Sequence, residues 1–297
     1  MVQALTLRRL LPALLLSAVF VAAPTQATEV VHLWYRNFDQ PATLALLKLA
    51  LDETRDLYGD YRIESSPQMS QARGIAEIEK GRHKRINAID VATNPRREQR
   101  LLPIRVPTAD GLLGYRVCLI ATGTEGRFKG IKSFTDIRKR NLTFGQGVDW
   151  PDTEVLKANG LNVLTQVRFG NLFHMLAYKR FDCFPRSVTE IYYDLQTHPT
   201  EGISIEPSLL FTYPMPSFFF VNKENKALAA RIELGLRRAM LNGRYKAYFE
   251  NYIAPSLQKL NLSQRTVIRL NNPLLTAPTR RIVTESAISI DGKLQIY

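Results

Sequence analysis

Strand and helix signatures alternate along residues 30–92, stop at an extended proline-marked stretch, and resume past Gly123. That broken alternation constrains the fold more than any other feature. Val30-Val31-His32-Leu33-Trp34-Tyr35 has the branched and aromatic content of a strand. Asp39-Gln40-Pro41 then opens a helix, with Leu44, Leu47, Leu51, Thr54 and Leu57 on one face at three- and four-residue spacing. Tyr58-Gly59-Asp60 closes it, residues 61–64 read as a second strand, 70–82 as a second helix and 86–92 as a third strand. Repeated strand–helix units build a parallel sheet covered by helices.

The interruption is residues 101–107, extended and punctuated by Pro103 and Pro107, followed by Gly111-Leu112-Leu113-Gly114 and an apolar strand over 115–121. A second strand–helix series follows: a short helix at 133–138, strands at 163–167 and 180–184, and helices at 170–177 and 187–195. Phe218-Phe219-Phe220-Val221 is a strong apolar strand, and amphipathic helices cover 227–242 and 245–252. One α/β unit, a crossing strand, a second α/β unit and a returning strand describe two lobes with a cleft between them. Ligands bind in such clefts, beyond strand ends, and a hinge permits closure.

Inside the second series, Leu142-Thr143-Phe144 ends a strand, Gly145-Gln146-Gly147-Val148-Asp149-Trp150 turns, and Pro151 starts a helix stopped by Asn159-Gly160. Proline at the first helical position and Asn-Gly at the end are ordinary helix punctuation. A strand that turns over glycines into a helix start aims backbone N–H groups at one small volume. Acids at that helix start also stabilise the helix itself.

The formal charge is +13, of which Arg8 and Arg9 lie in the first 27 residues. The remaining lysines and arginines are spread from Arg36 to Lys293, most of them from Lys48 onward, which describes a solvated basic surface rather than a nucleic-acid arm. Arg8-Arg9, the apolar run 10–23 and Pro24-Thr25-Gln26-Ala27 have the three parts of a cleavable secretory signal, with cleavage expected after Ala27. The mature chain is expected in the periplasm. Cys118 and Cys183 are the two cysteines; an oxidising compartment permits their pairing, which spacing alone leaves open. No cofactor or metal is expected, since the few histidines have no ligand spacing, and neither a phosphate loop nor a Gly-x-Ser-x-Gly turn occurs.

With Asp90-Val91-Ala92, Gly114-Tyr115-Arg116-Val117, the 142–160 turn, Arg180-Phe181-Asp182 and Phe218-Phe219-Phe220-Val221-Asn222-Lys223, residues 30–255 resemble the periplasmic solute-binding proteins of polar amino-acid uptake. The resemblance implies an α/β type II two-lobed periplasmic binding fold, each lobe a mixed sheet flanked by helices, joined by two crossing strands. It divides the chain into a signal peptide (1–27), a first lobe (28–113 and 221–264), a second lobe (114–220) and a C-terminal extension (265–297), in which 279–283 and 288–290 read as strand pieces or a loose tail. It implies a non-enzymatic monomer that takes a small polar ligand, an amino acid or related carboxylate, and delivers it to the membrane permease of an ABC transporter, with no nucleic-acid partner. Two alternatives share the fold: a cyclohexadienyl dehydratase-like enzyme, for which His174 and Glu190 are the candidate groups, and a module sensing a ligand for a membrane receptor.

The family clamps its ligand's carboxylate with an arginine after the third strand, and Arg96 and Arg97 occupy that stretch. Guanidinium matches carboxylate through parallel hydrogen bonds. Where the family has an aspartate for the ligand amine, this chain has Arg186 and Ser187. Asp149 or Asp152 is then the candidate negative charge, or else the ligand is an anion held by Arg97 and Arg186; the acids around the turn favour a ligand of both signs. Gln146, Trp150, Thr153 and Tyr35 complete the expected ligand set.

Overall fold

The computed structural model describes residues 28–82 and 85–285. The signal peptide expected at 1–27 and residues 288–290, read as a strand piece or part of a loose tail, lie outside the described residues. In chain order the strands are β1 (Glu29–Leu33), β2 (Tyr61–Ser65), β3 (Ala88–Ala92), β4 (Leu102–Ile104), β5 (Tyr115–Ala121) and β6 (Thr143–Gly147). Then come β7 (Asn162–Gln166), β8 (Phe184–Ser187), β9 (Ile203–Ile205), β10 (Leu209–Thr212), β11 (Ser217–Val221) and β12 (Thr266–Arg269).

The first sheet runs β2-β1-β3-β11-β4. Its opening three strands are parallel, while β11 is antiparallel to both neighbours. This follows from the connections: helices carry the chain over between β1, β2 and β3, whereas β11 re-enters from the other lobe. All five residues of β11 are buried. Phe218 and Phe220 face a cluster with Trp34, Ile75, Ile78 and Ile89, and Phe219 and Val221 face the opposite side, as a period of two requires in a sheet covered on both faces.

The second sheet runs β12-β10-β5-β8, with β9 also on β5. The parallel pair β6–β7 joins it through a bridge between Phe144 and Cys183. Gly145 is required there, because a Cβ would stand 2.3 Å from the Phe181 ring. The Cys118–Cys183 disulfide ties β5 to the chain entering β8, settling the pairing that spacing left open.

Several expected elements shift. Tyr35 starts a short helix, Tyr35–Asp39, instead of ending β1. The next helix, Pro41–Asp52, stops earlier than the leucine spacing suggests and buries Leu46, Leu47, Ala50 and Leu51, leaving Leu57 exposed on a separate turn. Packing decides this: the helix Lys226–Leu241 lies so close that a Cβ on Gly235 would meet the Ala50 carbonyl at 1.8 Å. Residues 184–187 are strand, so the helix expected from Ser187 begins at Ile191. β9 and β10 escaped the sequence reading because they are three and four residues long.

After the returning strand β11 and its helices, β12 crosses again and pairs in parallel with β10. The chain then goes back to the first sheet's side, where Ala277–Glu285 is helical rather than extended. Its Thr279 hydroxyl donates to Glu98 Oε1 at 2.7 Å, and Thr276 donates to Glu98 Oε2 at 2.9 Å. The two lobes are therefore spanned by more than the two crossings that the resemblance implied.

One apolar cluster also runs between the sheets, through Tyr248, Ile253 and Leu257 to Val188 and Ile191. The cleft opens beside it and counts Tyr248 and Ile253 in its wall. No helix among the described residues is long and apolar enough to cross a membrane.

Candidate functional site

The cleft has a volume of about 600 Å³, within the range of small-molecule sites. The first lobe contributes the helix Tyr35–Asp39 after β1, the end of β3, and Arg97. The second contributes Arg116 on β5, Trp150 and Asp152 at a helix start, Phe169, Arg186 on β8, and Glu190 beyond that strand. These are strand ends and the helix starts that follow them, where an α/β sheet leaves side chains unpacked.

Of the expected ligand residues, Tyr35, Arg97, Trp150, Asp152 and Arg186 all line this cavity. Arg97 is 5% exposed on the helix Pro95–Arg100, whose cap is the Asn94 side chain. Its guanidinium donates to the Ala92 carbonyl at 2.6 Å, to Gln71 Oε1, and across the cleft to the Asp149 carbonyl at 3.2 Å. Burial lowers its pKa to about 10, against the pull of Asp152 and Asp149. It remains a cation at neutral pH.

The other four stand elsewhere. Arg96 is exposed and points away from the cavity lining, since consecutive positions on a short helix face different ways. Gln146 is fully buried in the second lobe, and neither atom of its amide has a hydrogen-bond partner. Asp149 exposes its side chain and offers only its carbonyl. Thr153 is buried, with its hydroxyl donating to the Gly147 carbonyl at 2.8 Å.

The expected cradle of free N–H groups is also largely closed. The Val148, Trp150 and Thr153 N–H groups donate to the carbonyls of Gln166, Gly147 and Trp150. The glycines serve packing instead: a Cβ on Gly147 would stand 2.6 Å from the Trp150 ring. Trp150 thereby lies near-parallel to Phe184, at 6.4 Å, and forms an aromatic wall with Phe169.

The buried charges that the second lobe brings to the cleft, Arg116, Asp152, Arg186 and Asp194, are paired, with Glu190 between the two arginines. Arg116 meets Asp152 at 2.8 Å and Glu190 at 3.3 Å. Arg186 meets Asp194 at 2.6 Å and Glu190 at 3.2 Å, with its guanidinium carbon 5.0 Å from the centre of the Trp150 ring. Asp152 also accepts from the Tyr213 hydroxyl at 2.6 Å. It is thus a buried ion-pair hub as well as a first-turn acid. Burial would raise the Glu190 carboxyl, but Arg186, Arg116 and Arg36 together outweigh it and hold it below the ordinary range.

Sequence reasoning missed Arg36, Asp90 and Arg116 as cleft residues. Arg36 lies 3.8 Å above the centre of the Phe169 ring, a contact from one lobe to the other. Asp90 and Arg116 each interrupt an otherwise apolar buried strand. A charge in such a strand is costly without a purpose, and that was the available signal. His174 sits on the exposed side of its helix, away from the cavity.

No protein-family model and no curated protein matches this chain. Solved structures do. An ancestral arginine-binding protein bound to arginine aligns at a TM-score of 0.54 and 17% identity, over 75% of this chain and 98% of that one. A Salmonella typhimurium periplasmic binding protein of high arginine specificity aligns at 0.54 and 15%, over 76% and 100%. An ancestral amino-acid-binding protein, a precursor of cyclohexadienyl dehydratase, aligns at 0.53 and 13%, over 75% and 95%. The chain has the two-lobed periplasmic-binding fold. At these identities the likeness speaks for architecture, and the ligand has to be argued from the cleft.

In this two-lobed protein two further polar contacts join the walls beside one already described. The Tyr193 hydroxyl donates to the Asp39 carbonyl at 2.8 Å, Ser256 donates to the Val188 carbonyl, and Arg97 reaches Asp149 as above. Each is a single polar contact at the mouth or side of the cleft, easily exchanged for water when lobes part.

Proposed function

We propose that this protein is an exported solute-binding protein that captures a small polar ligand, an amino acid or related carboxylate, by closing its two lobes around it. In this reading it acts as a periplasmic monomer and hands the ligand to the membrane permease of an ABC transporter. The observation that carries the proposal is the composition of the cleft wall. Buried arginines and acids from both lobes face one cavity of about 600 Å³ beside the aromatic surfaces of Trp150 and Phe169. Such a wall takes a compact ligand that bears charge, and the fold's likeness to amino-acid-binding proteins agrees with it.

Arg97 is the first-lobe cation for a carboxylate. It is buried and anchored through Ala92 and Gln71, and its contact with the Asp149 carbonyl places it where the lobes meet. Thermal-shift screening of amino acids and organic acids, followed by calorimetry, tests the reading. A saturable rise in melting temperature with at least one compound is expected. Arg97→Ala is expected to weaken that compound roughly ten- to hundredfold, the worth of a charge-assisted hydrogen bond. A panel in which nothing binds sinks the proposal.

The dehydratase reading draws on one structural neighbour, itself named as an amino-acid-binding precursor. Glu190 does face the cleft, but it sits between Arg116 and Arg186 and is held ionised. An acid so placed is a poor proton donor at neutral pH. Turnover of prephenate-like substrates by the pure protein would favour the enzyme over the binder.

A further inference from the structure

Four acids reach the cleft below its rim, and three of them are matched. Asp152 is paired with Arg116, Glu190 with Arg116 and Arg186, and Asp194 with Arg186. Asp90 alone of the four has no ion-pair partner among the described residues. Asp39, a fifth acid of the lining, is exposed to solvent.

Asp90 is nonetheless held with care. The Thr108 hydroxyl donates to its Oδ1 at 3.0 Å, and Thr108 is itself bonded to the Ser217 hydroxyl at 2.6 Å. Both hydroxyl residues are buried and both face the cleft. The Asn37 side chain clamps the Asp90 backbone in both directions, donating to its carbonyl at 3.0 Å and accepting from its N–H at 2.9 Å. Asparagine at position 90 could keep the Thr108 contact without the cost of a buried acid. Three side chains therefore orient a carboxyl that stability alone would not select.

We infer that Asp90, Thr108 and Ser217 form a subsite for the cationic group of the ligand, an ammonium or a guanidinium. Asp90 Oδ2 is the acceptor that the protein leaves unused, and Thr108 fixes the carboxylate plane that presents it. Arg36 complements this subsite: it stacks on Phe169 and makes neither a hydrogen bond nor an ion pair through its guanidinium among the described residues. An acid without an ion-pair partner shares the cavity with two buried or stacked cations that also lack one, Arg97 and Arg36, and together they select a ligand that carries both signs. The usual arrangement, with the amine held by an acid of the second lobe, is blocked here because the acids that lobe brings into the cavity, Asp152, Glu190 and Asp194, are already bound to Arg116 and Arg186.

Protonation follows from the same geometry. Burial pushes the Asp90 carboxyl up to about 7, with Thr108 opposing and Glu190 adding to the rise. The other titrating groups facing it are Tyr248 and, beyond that ring, Asp110. A bound cation requires the carboxylate, so binding expels a proton wherever Asp90 holds one. Affinity should then rise about tenfold per pH unit below 7 and level off above it.

The inference rests on the solute-binding reading but fails separately from it. Calorimetry would compare L-arginine, L-lysine and L-glutamine with glutarate and succinate, on native protein and on Asp90→Asn. Expected are binding of at least one ammonium-bearing probe, its weakening by about 30-fold or more in D90N, and proton release near pH 6 in buffers of different ionisation enthalpy. The proton measurement uses native protein alone and does not depend on the variant folding. Equal affinity in D90N, absence of proton release, or binding confined to the two dicarboxylates would each overturn the subsite while leaving a solute binder. If no probe binds, both readings fall.

Discussion

Asp90 shows at the scale of one residue how function is set against stability. Its carboxyl sits at about 7 in the folded protein, against 3.8 for an unperturbed aspartate, chiefly because it is buried. The folded state therefore binds this proton more tightly than the unfolded chain does. Stability is full below about pH 4, falls as pH rises towards about 7, and is level above, by at most about 1.4 kcal/mol per unit within the window. Asp90→Asn is spared that loss. Melts of the unliganded proteins should coincide near pH 4 and separate by pH 8 with D90N the higher; a constant gap would contradict the buried acid. Arg116 makes the opposite case. Removing it as Arg116→Met leaves Asp152 without its ion-pair partner and Glu190 with Arg186 alone, and breaking a buried pair from one side costs about 3–5 kcal/mol. Denaturant titration should show that loss, and Asp152→Asn in the same chain should recover part of it.

Among the elements, the segment after β12 changes the picture most. Asn159 exchanges two hydrogen bonds with the Asn271 backbone, at 2.7 and 3.0 Å, which anchors the segment to the second lobe. The helix Ala277–Glu285 then docks on the first lobe through Glu98, which also accepts from Thr93 at 2.7 Å and pairs with Arg105 at 2.7 Å. Glu98 follows Arg97 on the same short helix, so this strap braces the element that carries the cleft cation. Glu98→Gln removes the charge that four donors share, each charge-assisted bond being worth about 1.5–3 kcal/mol. Hydrogen exchange at residues 277–285 should accelerate in E98Q, and ligand affinity should drop with it. Unchanged exchange would mean the strap is held by other contacts. The sequence suggested extended pieces or a loose tail here, because its few apolar residues show no strong periodicity; in the fold Ile282 packs against the apolar cluster that holds Trp34 and Phe218.

For the whole molecule, closure and covalent bracing are the measurable properties. A ligand that grips both walls must favour the closed arrangement, so small-angle scattering should show a smaller radius of gyration with the bound compound than without it. No change on saturation would argue for a preclosed cleft. The Cys118–Cys183 bridge spans 65 residues, and a loop of that length is worth about 4 kcal/mol in the unfolded state. Reduction, or the paired change to serine, should lower the melting temperature by several degrees without moving the ligand preference, because neither sulfur lines the cleft.

The alternation of strand and helix, broken once by an extended proline-marked stretch and resumed, was enough to read two α/β lobes, since each period reports which face a residue must bury. Arg97 and Arg186 were legible as cleft residues only through the family resemblance, which left Arg96 and Arg97 undivided, and Trp150 as an aromatic beside the strand–helix turn. Gln146 and Thr153 share that local context, yet packing buried both beneath the turn. Which charges cancel and which stay available was decided only in three dimensions. Arg116 and Asp152 are 36 positions apart in the numbering but 2.8 Å apart in space, and no local pattern encodes such a meeting. The same holds for the strap and for Asp90, whose meaning comes from what the fold brings near it and from the cation it withholds.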